Sequence, residues 1–207
     1  MENERKNVVM QTKEEFLECI LPELVNAKAN EKDLADMPHR AFLSEMAIRY
    51  SHCAEVDGVA IRLNITNGIA EAMGVTEEDL HDAAVRNIAG AAVILSATAL
   101  GFNPDDDDLI MLVVTTEYGD FGAAAILNED VRRELAGIFF GGFIAIPSSM
   151  HEFICVPFED GVFDELRGFI RTINDCGDDS IIKKSDVLAY TPLRCDAQTL
   201  ELLEVKA

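Results

Sequence analysis

Reactive side chains concentrate in one segment, Ile144 to Pro157 (IAIPSSMHEFICVP), which holds two serines, a histidine, a glutamate and a cysteine. In an extended chain alternate residues share a face, so Ser149, His151 and Phe153 point one way and Ser148, Met150 and Glu152 the other. Ser149 could then hydrogen-bond His151, the first requirement for an activated nucleophile. Ser149, His151 and Glu152 are therefore the candidate catalytic residues if the protein is a hydrolase or transferase. Such an enzyme also needs an acid to orient the imidazole and an oxyanion hole. Triad members generally come from separate elements, and no G-x-S-x-G elbow is present. The competing reading is a tight turn, in which serine hydroxyls satisfy the backbone and the histidine fixes the loop; the spacing favours it.

Metal and nucleotide chemistry find less support. His151-Glu152 is not an H-E-x-x-H helix, because position 155 is cysteine and the segment looks extended. The run Asp105 to Asp108 lacks the glycine and glutamate that a calcium loop places at its sixth and twelfth positions, so it reads as a solvated acidic loop. His39, His52 and His81 are too far apart in sequence to suggest a shared metal. His39 follows a proline that starts a helix, His52 ends that helix, and His81 lies in a first helical turn beside acids that favour its protonation. No G-x-x-x-x-G-K-[ST] loop or G-x-G-x-x-G follows a strand. Neither a metal nor a cofactor is expected.

The 207 residues carry 38 Asp+Glu against 17 Lys+Arg, a formal net charge of −21, yet 49% are apolar. Enough Ile, Leu, Val, Phe and Met are present to build a core, so the chain folds. The charge argues against direct binding to a nucleic-acid backbone or an anionic membrane. Its length fits a single domain over 1–207, or two packed subdomains, 1–100 mainly helical and 109–207 α+β. The N-terminus has no apolar signal core. The nearest approach to a span, Ile88 to Phe102, is short, rich in Ala and Gly, and reads as a buried helix or helix pair. Cys19, Cys53, Cys155, Cys176 and Cys195 are odd in number and lack C-x-x-C spacing; they read as reduced cytoplasmic thiols, mostly core fillers, with Cys155 inert in a strand.

The elements that position these residues follow from caps and periodicity. Thr12 with Glu15 forms a capping box, and Phe16, Ile20 and Leu24 continue at helical spacing. Pro38 is read as opening a second helix with Phe42, Met46 and Tyr50 as its stripe. Val59 to Thr66 alternates as a half-buried strand. Thr76 with Asp79 starts a helix to about Ala89, burying Leu80, Ala84 and Ile88. Gly101 to Asp108 (GFNPDDDD) is the best internal boundary. Leu109 to Thr116 and Phe121 to Leu127 are expected to form a hairpin through Gly119. Asn128 or Asp130 caps a helix that Gly141-Gly142 ends. Strands Phe143 to Ile146 and His151 to Val156, a helix from about Val162 to Asn174, and terminal strands Val187 to Thr191 and Leu200 to Val205 complete an α+β fold. Its sheet is largely antiparallel and its N-terminal half helical.

Charge is unevenly placed. Residues 1–100 hold 17 acids and 9 bases, net −8, while 101–207 hold 21 and 8, net −13. Between Arg86 and Arg132 no base occurs, but Asp105, Asp106, Asp107, Asp108, Glu117, Asp120, Glu129 and Asp130 do. A second cluster contains Glu159, Asp160, Asp164 and Glu165, continuing to Asp175, Asp178 and Asp179. On a shared rim these acids would form a strongly negative surface suited to a basic protein, including one that itself binds nucleic acid. The bland alternative is acidity that only maintains solubility.

Four stretches carry a family resemblance: Met111 to Leu127 with its Phe121-Gly122-Ala123-Ala124 step, Pro147-Ser148-Ser149-Met150-His151-Glu152, Met37-Pro38-His39-Arg40-Ala41-Phe42, and Gly74 to Leu80. Together they resemble an uncharacterised bacterial domain family of clostridial-type Gram-positives, sometimes found on mobile elements. Its members usually have isoleucine at the position of Met150. The resemblance covers nearly the whole chain and implies a single intracellular α+β domain without implying an activity. The leading expectation is a non-enzymatic interaction protein for a basic partner and, in a phage or mobile-element setting, an inhibitor that mimics nucleic acid towards a host defence factor.

Overall fold

In a computed structural model of the protein, the described residues are 12–56, 59–96, 98, 110–159, 161–175 and 182–205. The whole of the expected boundary loop, Gly101 to Asp108, together with Asp160, Cys176, Asp178 and Asp179, lies outside them. The Thr12/Glu15 capping box starts α1 (Lys13–Glu18), which buries Phe16. Here the helical reading stops. The chain turns directly into β1 (Ile20–Asn26), and α2 (Glu31–Leu34) is a single turn. Then come β2 (His39–Phe42), β3 (Met46–Val56) and β4 (Val59–Asn64).

The expected helical N-terminal half is thus replaced by an antiparallel sheet in the order β1-β3-β2, with β4 also on β3. The error has a simple origin. Phe16, Ile20, Leu24 and Phe42, Met46, Tyr50 recur every four residues, and four is an even number, so the same residues also share one face of a strand. Pro22 decides against helix continuation, since it disfavours α geometry at Leu21 and would remove an internal helical hydrogen bond. In β1 it is tolerated. Cys53 N–H donates to the Cys19 carbonyl at 2.8 Å, so the alternating pattern leaves Pro22, opposite Tyr50, where its missing N–H would point away from β3. Pro38 likewise precedes a strand, and His52 lies within β3, stacked on Phe16.

Two short helices follow, α3 (Asn67–Met73) and α4 (Glu77–Ile88). The latter carries the expected Thr76/Asp79 box and buries Leu80, Ala84 and Ile88. Beyond it the chain forms β5 (Ala92–Ser96), where the sequence suggested a helix, and β6 (Leu112–Thr116). Residues Gly122–Leu127 form a wholly buried 3-10 helix rather than the second strand of a hairpin. Its Gly-Ala-Ala-Ala run offers little side chain for strand pairing, while a helical turn helps satisfy its own backbone where water is excluded. Asn128 caps α5 (Glu129–Phe139), which is followed by the hairpin β7 (Phe143–Ser149) and β8 (Glu152–Pro157), then α6 (Phe163–Asn174). The last strands are β9 (Leu193–Cys195) and β10 (Leu202–Glu204); Val187 to Thr191 is irregular.

The second sheet runs β10-β9-β7-β8-β6-β5, antiparallel throughout, and the fold is α+β. Strand β7 is apolar on both faces because both are covered. Phe143 and Ala145 join a core shared with the first sheet, α4, the 3-10 helix and α5. Ile144 and Ile146 pack with Ile170 of α6.

Helices α1 and α4 are clamped where Asp79 accepts from Lys13 Nζ at 2.9 Å and from the Thr76 backbone N–H at 2.9 Å. Lys13 first, then the Thr76 bonds, pull the Asp79 pKa down from 3.8 to about 2. A folded-state pKa below the unfolded value stabilises the fold above the unfolded pKa, and that stabilisation disappears as pH falls through the folded one. Urea midpoints measured from pH 5 downwards should fall between about pH 4 and pH 2, and Asp79→Asn should remove that part of the slope.

Candidate functional site

The Ser149, His151, Glu152 segment is the β7–β8 turn. Ser149 opposes Glu152 across it, and a register shift between Pro147 and Ser149 breaks strict alternation. Ser149 is buried, and its Oγ accepts the His151 backbone N–H at 3.0 Å instead of meeting the imidazole. Ser148 Oγ donates to Glu152 Oε1 at 3.2 Å. Both serines thus serve the turn, which is the competing reading made from the sequence. From outside the hairpin, Met150 N–H donates to the Asp186 carbonyl at 2.8 Å, and Thr115 Oγ1 to the His151 carbonyl at 2.8 Å.

The imidazole has its own partners. His151 Nδ1 accepts the Phe121 backbone N–H at 3.2 Å. In the neutral ring the proton then sits on Nε2, which faces Asp186 Oδ2 at 3.6 Å; Asp120 Oδ1 lies 3.9 Å from Nδ1. An acid does face the ring, but among the described residues no serine hydrogen-bonds to it. Two surface hollows, of about 450 Å³ between α5 and the 197–200 turn and about 280 Å³ beside α2 and β2, are not lined by Ser149, His151 or Glu152.

Beneath the turn lies a group that sequence reasoning missed. Phe121, with φ of +54°, packs against the His151 ring and under two guanidiniums, Arg62 at 4.8 Å and Arg49 at 5.8 Å from its ring centre. Both arginines bind one fully buried carboxylate: Arg49 Nε donates to Glu23 Oε2 at 2.7 Å and Arg62 Nη1 to Glu23 Oε1 at 3.1 Å. The signal was present in part. Glu23 interrupts the apolar run of β1, and an inward charge in a strand requires a partner. Arg62 gave no such signal, because alternation put it on the polar face of β4, and the structure turns that face inward and leaves Ile61 and Leu63 exposed. Gly122 completes the junction, because a Cβ there would clash with Thr115 Oγ1 and approach the His151 carbonyl oxygen to 2.5 Å and Thr116 N to 2.7 Å.

The acidic candidates are surface groups. Glu117 and Asp120 are exposed after β6, Glu129 and Asp130 lead α5, Glu159 follows β8, and Asp164 and Glu165 lead α6; all are exposed. The helix-leading acids also complement the helix dipoles. Glu129 and Asp130 pair with Arg133, and Asp164 approaches Arg167 at 3.7 Å. Asp105 to Asp108 and Asp160 are outside the described residues.

Of the five described arginines of the second half, Arg132 and Arg167 are drawn inward, whereas Arg133 and Arg171 are exposed. Arg132 donates to the carbonyls of Leu200, Ile126 and Leu127 at 2.7 to 2.8 Å, and burial pushes its pKa down. Arg167 donates to the Val205 carbonyl, and Arg194 lies over the Phe158 ring at 4.2 Å. His81 departs from expectation: it contacts the Tyr50 hydroxyl, and burial, then Arg40, pushes its pKa down rather than favouring protonation. The Tyr50 hydroxyl itself donates to Glu77, which Arg40 also binds.

Residues 1–191 match the model of a family of unknown function, DUF5688. No curated protein and no solved structure matches the chain.

Glu23→Gln leaves two inward guanidiniums without a countercharge and is expected to cost about 3–5 kcal/mol in denaturant unfolding. A loss below about 1 kcal/mol would show that solvent already compensates the pair. Gly122→Ala is expected to lower stability by about 1–3 kcal/mol, with exchange of the Phe121 amide accelerating because backbone rather than a flexible side chain must yield.

Proposed function

The chain belongs to DUF5688, a family of unknown function, and we propose that it is an acidic, non-enzymatic interaction protein that engages a basic protein partner. One observation carries this reading. Arg49 and Arg62 are used on Glu23, and Arg132 and Arg167 on backbone carbonyls, while Glu117, Asp120, Glu159, Asp164 and Glu165 stay in solvent. The surface is therefore more negative than the composition alone implies, and a face of one sign accelerates and selects encounter with the opposite sign.

A basic nucleic-acid-binding protein is the natural target, because a display of carboxylates competes for the cations that hold phosphates. In the cytoplasm of a Gram-positive host, on a phage or mobile element, that target is a defence factor. The Pro147 to Glu152 motif is the structural signature of this family, and Ser149 and His151 serve to hold the turn.

Titration with an arginine-rich polypeptide across a salt series tests the proposal. Binding is expected at low salt, weakening roughly tenfold or more as screening shortens from about 30 Å at 0.01 M to about 8 Å at 0.15 M. Converting Glu117, Asp120, Asp164 and Glu165 to their amides should weaken it further, and double-stranded DNA should compete for the polypeptide. No binding at low salt, or binding indifferent to salt, would overturn the reading.

A further inference from the structure

The register of β1 on β3 pairs Ile20 with His52, and Cys53 N–H donates to the Cys19 carbonyl at 2.8 Å. Cys19 and Cys53 therefore oppose each other one step beyond the last ladder pair, where α1 passes into β1. A fully paired ladder would hold such residues with Cα atoms about 5.5 Å apart, inside the roughly 4.4–6.8 Å that a disulfide spans; here the one bond keeps the two cysteines opposed while the Cys19 N–H turns to the Phe16 carbonyl. Cys53 shares the face of Ser51, whose Oγ lies 4.0 Å from its Sγ. Burial pushes the Cys53 thiol up, against the opposing pull of Arg62 and the Ser51 hydroxyl, with the Glu23 carboxylate and the Cys19 sulfur as smaller contributions to the rise. Both cysteines are half-buried and reachable from solvent. Cys155 and Cys195 differ on each count: they are fully buried, and β7 separates their strands.

We propose that Cys19 and Cys53 form a reversible intrachain disulfide when the protein meets a hydroperoxide. The Cys19 thiolate attacks the O–O bond, releasing an alcohol or water and leaving a sulfenic acid. Cys53 sulfur then attacks the Cys19 sulfur, and the sulfenic oxygen leaves as water. Two thiols lose two electrons and two protons in total, and the hydroperoxide is reduced to an alcohol and water. A dithiol reductant reverses the bond by exchange, in keeping with an intracellular setting where disulfides are transient. The cross-link encloses β1, α2, β2 and most of β3, and ties the end of α1 to the sheet that carries Glu23.

The test treats the full chain with hydrogen peroxide, alkylates the remaining thiols and maps peptides by mass spectrometry. The expected product joins the Cys19 and Cys53 peptides, is about 2 Da lighter than their sum, and separates after dithiol treatment, with Cys155 and Cys195 alkylated only after unfolding. Oxidation should raise the thermal midpoint by several degrees, and Cys19→Ser and Cys53→Ser should each abolish both the cross-link and the rise while melting like the reduced parent. Recovery of the two cysteines as separate alkylated or sulfinic peptides overturns the proposal. So does linkage to another cysteine or to a second chain.

Discussion

Glu23 is the constraint around which the rest is arranged. A carboxylate with no solvent exposure is tolerable only if its charge is met within the fold. Here Arg49 from β3 and Arg62 from β4 both meet it, so three strands of the first sheet are tied through one side chain. The two guanidiniums then provide a cationic bed for the Phe121 ring. Phe121 places its N–H on His151 and leads into Gly122, which fits where no Cβ could. A buried charge group of this kind adds little net stability, but it penalises any arrangement that leaves one member unpaired. That penalty couples the first sheet to the β7–β8 turn of the second.

Other polar side chains serve the same end over long sequence distances. Asn87 Nδ2 donates to the carbonyls of Leu17 and Ile20, Asn128 Nδ2 to Val85, and Asn26 Nδ2 to Leu188. Each satisfies a carbonyl that its own element leaves open. Arginine does so for the carbonyls near the end of the 3-10 helix. Arg49, Arg62, Arg132 and Arg167 and these amides are thereby directed inward, while the acids flanking β6, β8, α5 and α6 stay outside beside exposed bases such as Arg133 and Arg171. The proposed partner and the peroxide-sensitive cysteine pair both follow from this division. The first depends on what is left exposed, and the second on where α1 meets the sheet built around Glu23.

What was legible in the residues was local. The boxes Thr12/Glu15 and Thr76/Asp79, the Asn128 cap and the β7–β8 turn are settled within a few residues, and the structure carries each of them. The α+β class followed from the same signals. Where the reading failed, two structures satisfied the same local pattern. Apolar residues every fourth position suit one face of a helix or of a strand, and Pro22 was the residue that distinguished them. The segment Phe121 to Leu127 has apolar content compatible with a strand, but burial on every side favours a helical turn.

By itself the sequence determined caps, turns, the acidic excess and the serine-rich hairpin, because these depend on neighbours in the chain. Only the tertiary structure decided what those residues face. Ser149 lies two positions from His151, yet the imidazole is held by Phe121 and faced by Asp186, 30 and 35 residues away. Glu23 finds Arg49 and Arg62 because β3 lies between β1 and β4. Charges and hydroxyls in a low-dielectric interior must find partners, and which partners come within reach is settled by the packing of the sheets.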